Sequence, residues 1–70
     1  MNDILKGNWN QLKGQLKIWW GNLTDDDIAK IDGQRDKLVG ALQERYGYAK
    51  ERAEQEVTRH LDEYQMAHAR

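Results

Sequence analysis

The stretch GNWNQLKGQLKIWWG, residues 7–21, decides the fold. With Leu5 just before it, Trp9, Leu12, Leu16 and Trp19 recur at alternating steps of four and three, the spacing that holds apolar side chains on one stripe of an α-helix. The stripe predicts a helix that starts near Asp3, a residue type suited to cap a helix, and stops at Gly21. Glycines stand at both ends and in the middle of the stretch, and the same seven-residue beat returns at Gly33, Gly40 and Gly47. Counting 100° per residue puts Gly7 and Gly14 about 170° from the apolar stripe, and Gly40 about 150° from the stripe of its own helix. These glycines therefore face away from the expected core. At about 1 kcal/mol each relative to alanine, Gly7, Gly14 and Gly40 cost about 3 kcal/mol in a domain whose whole stability is about 5 kcal/mol. Such a bare back either admits another chain, as a self-association face at Gly7 and Gly14, or keeps the helices loose. Lys6, Asn8, Gln11 and Gln15 leave little apolar surface beside the glycines, which favours looseness.

Downstream, LTDDDIAKI carries the clearest local signal. Thr24 is placed to cap a second helix, Asp27 to return a capping-box contact, and Leu23 and Ile28 to form a hydrophobic staple. Asp25, Asp26 and Asp27 then lie at the positive end of the helix dipole. A helix start explains this triple Asp better than a calcium or magnesium loop, which needs further oxygen donors at fixed spacing. Ile31, Leu38, Leu42 and Tyr46 continue an apolar face, with Gly33 breaking the chain between a short second helix and a third, and Gly47 ending the third. From about Ala49 a last helix sets Ala53, Val57, Leu61 and Tyr64 on one stripe. Its outer surface pairs Arg52 with Glu56 and Arg59 with Glu63 at i, i+4 spacing, each worth about 0.2 to 0.5 kcal/mol. The expectation is an all-α fold: a single domain over residues 1–70, a compact array of four helices of unequal length, with about residues 66–70 frayed.

Seventy residues are near the lower limit for one self-sufficient apolar core. The chain has no cysteine, which excludes disulfides and thiolate zinc sites and suits a reducing compartment. The first residues, MNDILKGNW, hold neither a long apolar run nor a cleavage site, so neither a leader nor a membrane span is expected, and a cytoplasmic location is. The net charge of -1 gives no global pull on nucleic acid or anionic lipid. Locally the charge alternates: residues 1–20 sum to +2, 21–34 to -3, 35–50 to +2 and 51–70 to -2.

The segments KGNWNQLKGQLKIWWGNLTDDD and GQRDKLVGALQERYGYAKERAEQEV resemble the CsbD-like family of small bacterial stress proteins, in its YjbJ branch. The resemblance spans roughly residues 3 to 60 and rests on the GNW, LTDDD and QERYGY elements in the family's order. It implies four helices of the SAM-domain-like kind in an abundant cytoplasmic protein raised in general stress, and it implies no reaction, ligand or catalytic residue. One departure is Ala49, where the family pattern leads to an expectation of serine as the cap of the last helix. Loss of such a cap costs about 1 kcal/mol, so a late or frayed start is expected there.

Chemistry has little to work with. Thr24 and Thr58 are the only aliphatic alcohols, and Thr24 is assigned to a cap. His60 and His68 lie two turns apart, too far along one helix to share a metal. Glu56 and His60, four apart, can share a hydrogen bond or a weak metal site. No glycine follows a strand or precedes a GK[ST] element, so no phosphate loop is present. No catalytic, cofactor-binding or metal residue is assigned, and the chain is expected not to be an enzyme. Trp19 and Trp20 diverge by about 100° on a helix, so one ring should stand half exposed. The candidate partner-binding residues are Lys6, Lys13 and Lys17, which share a face beside the tryptophan stripe, together with Trp20; helical spacing does not choose which of Trp19 and Trp20 is the exposed ring. The function expected is a non-enzymatic stress-response protein acting by binding or abundance. The alternative is weak binding of nucleic acid or a membrane surface through that basic and aromatic face.

Overall fold

Asn8 divides the first expected helix in two. The computed structural model describes residues 4–67. The expected cap Asp3, and the tail from His68 onward, lie outside the described residues. Helix α1 spans Ile4–Gly7 and α2 spans Trp9–Trp19. Between them Asn8 leaves helical geometry (φ -119°, ψ 27°), and both its backbone N–H and its side-chain amide donate to the Ile4 carbonyl, at 3.0 and 3.2 Å. An asparagine that bonds nearby backbone with its own amide competes with the helix. It follows Gly7, whose backbone is the least held of any residue. The described residues thus form five helices rather than four, and four of the five have seven or more residues.

The stripe itself is buried as expected. Leu5, Leu12 and Leu16 are essentially inaccessible, while Trp9 and Trp19 pack half-buried at the edge of the core. Helix α3, Asp25–Ile31, begins with the anticipated capping box. Thr24 Oγ1 accepts from the Asp27 N–H at 3.1 Å, and Asp27 Oδ2 accepts from the Thr24 N–H at 3.0 Å. Leu23 and Ile28 are both in the core. The helix ends on Asp32 in the left-handed region (φ 46°), followed by Gly33 at φ 78°. That turn lies directly on α1: a Cβ at Gly33 would stand 3.2 Å from the Lys6 Cα.

Helix α4, Arg35–Tyr46, buries Leu38, Val39 and Leu42 and ends at Gly47 (φ 70°), whose N–H donates to the Gln43 carbonyl at 2.9 Å. Helix α5 runs Lys50–Ala67 and buries Ala53, Val57, Leu61 and Tyr64, the stripe read from the sequence. It starts immediately after Ala49, whose carbonyl accepts from the Ala53 N–H at 2.9 Å. It does not start late, although the methyl of Ala49 offers no capping oxygen. Helix α5 packs chiefly on α4 and reaches α1 at the other side of the core. Each fully buried leucine contributes about 1.5 to 3 kcal/mol, so this single cluster drawn from all five helices carries the fold.

Candidate interaction surfaces

The structure settles which indole is the half-exposed one, and it removes Trp20 from the candidate partner-binding residues. Trp20 is only 3% exposed, whereas Trp19 is the half-buried ring. Helix α2 ends at Trp19, and Trp20 takes φ -129° and ψ 83°, so the 100° step no longer directs its side chain and the ring turns inward. Its N–H still closes the helix on the Leu16 carbonyl at 2.8 Å. The two indoles meet edge to face with centroids 5.7 Å apart. His60 from α5 lies against both, 5.1 Å from Trp19 and 4.7 Å from Trp20, and Tyr64 stands edge-on to Trp19 at 6.4 Å. Below them Tyr64 donates its hydroxyl to Gln11 Oε1 at 2.6 Å, across 53 residues of sequence. This aromatic joint fixes the end of α2 to the second half of α5.

His60 is absorbed into that joint. Its Nδ1 lies 2.8 Å from the Glu56 backbone oxygen, and because a carbonyl only accepts, Nδ1 carries the proton. The Glu56 carboxylate is farther, at 3.9 Å. Among the described residues no group of three or more His, Cys, Asp or Glu could hold a metal ion. The expected i, i+4 ion pairs of α5 form differently. Arg59 turns to Glu56 at 3.3 Å rather than to Glu63, and the Arg52 guanidinium lies 4.4 Å over the Tyr48 ring. Tyr48 stacks on Tyr46 at 5.3 Å, so the loop before α5 supplies an aromatic face that competes for Arg52.

The strongest electrostatic feature is one that sequence spacing did not indicate. Asp27, the capping-box carboxylate, is 7% exposed and also receives a two-point grip from Arg45 of α4: Nε to Oδ2 at 2.7 Å and a terminal guanidinium nitrogen to Oδ1 at 2.9 Å. Hydrogen bonding by Arg45, then the Thr24 backbone N–H, holds its carboxyl far below the usual carboxylate range. The same pair raises Arg45 above its ordinary value. A carboxylate held this way is a poor proton acceptor. Its work is structural, fastening α3 to α4.

The three lysines of the candidate face lie on α1 and α2, and all are exposed. Lys17 is engaged with Asp25 at 2.5 Å, and the Lys6 backbone supports the turn at Gly33. The buried Trp20 is no part of that surface. On the far sides of α1 and α2, the space where a Cβ of Gly7 or Gly14 would stand is open to 4 Å, and so is that of Gly40 on α4. The face is less polar than the sequence reading allowed, because Ile18 is 74% exposed. Its position four residues after Gly14 places it on the same face. A second outward surface lies along α5: an open groove of about 790 Å³ from Glu51 to Met66, crossed by Arg35. Arg35 reaches over from α4 to hydrogen-bond the Thr58 hydroxyl and the Glu54 carbonyl. Among the described residues no helix is long and apolar enough to cross a membrane.

Comparison with known proteins gives consistent matches. The model of the family described as CsbD-like matches residues 3–55. A UPF0337 protein of Pseudomonas aeruginosa is 61% identical over 56 residues, covering 80% of this chain and 86% of that protein. A UPF0337 protein of Pectobacterium atrosepticum is 54% identical over 66 residues, 94% of each chain. The UPF0337 protein YjbJ of Escherichia coli K12 is 63% identical over 55 residues, covering 79% of this chain and 80% of that one.

Proposed function

The chain belongs to the CsbD-like family, in its YjbJ branch, and from that membership we propose that it is a non-enzymatic stress-response protein of the cytoplasm, acting by binding or by abundance. The observation that carries this reading is the fate of Asp27. This buried carboxylate, whose ionisation the fold perturbs most clearly among the described residues, is consumed by three donor contacts within the domain and has no basicity left for a reaction. His60, the one histidine among the described residues, is packed against two indoles. In the same proposal the helices form a SAM-domain-like array, which superposition of an experimental structure on such domains would test.

The mode of action is tested by titrated expression in a bacterium lacking its own copy. Survival under osmotic, acid and heat stress is measured against the amount of folded chain. Protection that rises in proportion to that amount supports a stoichiometric role. Full protection from a handful of copies per cell would point to a catalyst and overturn the reading.

A further inference from the structure

The apolar stripe at the start of the chain runs on through Asn8, although the helix does not. Leu5, Trp9, Leu12 and Leu16 keep helical spacing across the break. The i, i+4 bonds on either side are made: the Asn8 N–H donates to the Ile4 carbonyl at 3.0 Å, and the Leu12 N–H to the Asn8 carbonyl at 2.8 Å. What departs is the backbone of one residue. Asn8 stands at φ -119° and ψ 27°, against about -63° and -42° in an α-helix. The Gln11 N–H then takes the Asn8 carbonyl at 3.0 Å instead of the Gly7 carbonyl. The Trp9 and Asn10 N–H groups, first in α2, have no acceptor within their own helix. Kinks have identifiable causes, and those on hand here lie partly outside the helix. Leu5 is buried at 1% exposure, the Lys6 backbone lies under the Gly33 turn, α1 touches α5, and the Asn8 amide holds the Ile4 carbonyl.

We propose that α1 is a hinged strap: rotation at Asn8 carries it between this docked form and one in which residues 4–19 make a single helix and α1 has swung off the Gly33 turn. The two forms exchange one kind of stabilisation for another. Docking buries Leu5 and seats Lys6 against Gly33. Joining gives the Trp9, Asn10 and Gln11 N–H groups the carbonyls of Leu5, Lys6 and Gly7, and it extends a helix that is already nucleated, which is the inexpensive step of helix formation. The stripe tolerates both, since a continuous helix keeps Leu5 on the side of Leu12 and Leu16. Space around a Cβ at Gly7 is open to 4 Å, so no neighbouring side chain locks the hinge on that side. Opening uncovers the part of the core beneath Leu5 and releases the turn between α3 and α4. A segment with two discrete arrangements set by the torsions of one residue is a hinge in the ordinary sense. The inference goes beyond the functional reading above and does not depend on it.

Nuclear magnetic resonance of the full chain tests the proposal through two observables that move in opposite directions. Joining the helices protects the Trp9 amide from hydrogen exchange and removes the cross-peaks between Lys6 and Gly33. Asn8→Ala deletes the side-chain bond to Ile4 and supplies a better helix former, so it should slow exchange at Trp9 about tenfold while the Lys6 and Gly33 cross-peaks weaken. Gly7→Ala, whose methyl has open space and leaves the core untouched, should change both in the same directions. In the wild type, relaxation dispersion should detect a minor form at Lys6, Asn8 and Gly33 on the microsecond-to-millisecond timescale, with chemical shifts toward those of Asn8→Ala. A wild type without that minor form would overturn the proposal. So would variants that lose the cross-peaks while Trp9 still exchanges fast, because α1 would then be fraying rather than joining α2. Variants that keep both observables at wild-type values would overturn it as well.

Discussion

At the scale of single residues, the junction of Thr24, Asp27 and Arg45 joins a local signal to a distant one. The Thr24 and Asp27 half was legible because a capping box is a matter of spacing over four residues. Arg45 was not, since its position opposite Asp27 depends on how α4 lies across α3, 18 residues away. The junction sets the acid response of the protein. The folded-state value of Asp27 lies below its unfolded value of about 3.9. Its contribution is therefore complete above that value and is lost as pH falls toward the folded-state value, because the unfolded chain takes up the proton first. Urea midpoints for the wild type should hold steady near neutrality and drop progressively below about pH 5. Asp27→Asn should be less stable at neutral pH and show a shallower acid decline. Equal acid slopes for the two proteins would mean that another group governs the response. Thr24→Ala, which removes the reciprocal cap, should cost about 1 kcal/mol at neutral pH.

At the scale of elements, five of the six glycines divide by what their backbone needs rather than by their even spacing. Gly33 and Gly47 have positive φ, and Gly33 also lies against the Lys6 backbone, so alanine at either should destabilise the fold. Gly14 and Gly40 sit inside α2 and α4 with open space around them. Alanine there should raise stability by about 1 kcal/mol each, with a smaller gain at Gly7, which closes α1. Thermal unfolding of the five single variants checks the division; destabilisation by Gly14→Ala would mean that something already approaches that backbone. Facing directions were readable from the 100° step, and the open backs of α2 and α4 follow it. The break at Asn8 was not readable, because it depends on a side-chain amide choosing the Ile4 carbonyl. Nor was the inward turn of Trp20, which begins where helical periodicity ends.

At the scale of the whole molecule, the five described helices share one apolar cluster, and stability of the order of 0.05 to 0.15 kcal/mol per residue gives only about 4 to 10 kcal/mol for a chain this short. Periodicity named most of that cluster in advance, because Leu5, Leu12, Leu16, Leu38, Leu42, Val57 and Leu61 repeat at helical steps. The aromatic joint between α2 and α5 was hidden, since Gln11 and Tyr64, or Trp20 and His60, meet only after the chain has closed on itself. Closure of this kind makes the fold cooperative. Leu16→Ala or Leu42→Ala, at fully buried positions, should cost about 2 to 5 kcal/mol, a large share of the total, and leave a substantial unfolded fraction at ordinary temperature. In the wild type, far-ultraviolet circular dichroism follows all the helices, while tryptophan emission follows the joint in which Trp20 is buried. The two should report one coincident urea transition. A tryptophan transition that precedes the loss of helicity would show that the α2–α5 joint opens on its own, and the core would then have to be treated as two cooperative units rather than one.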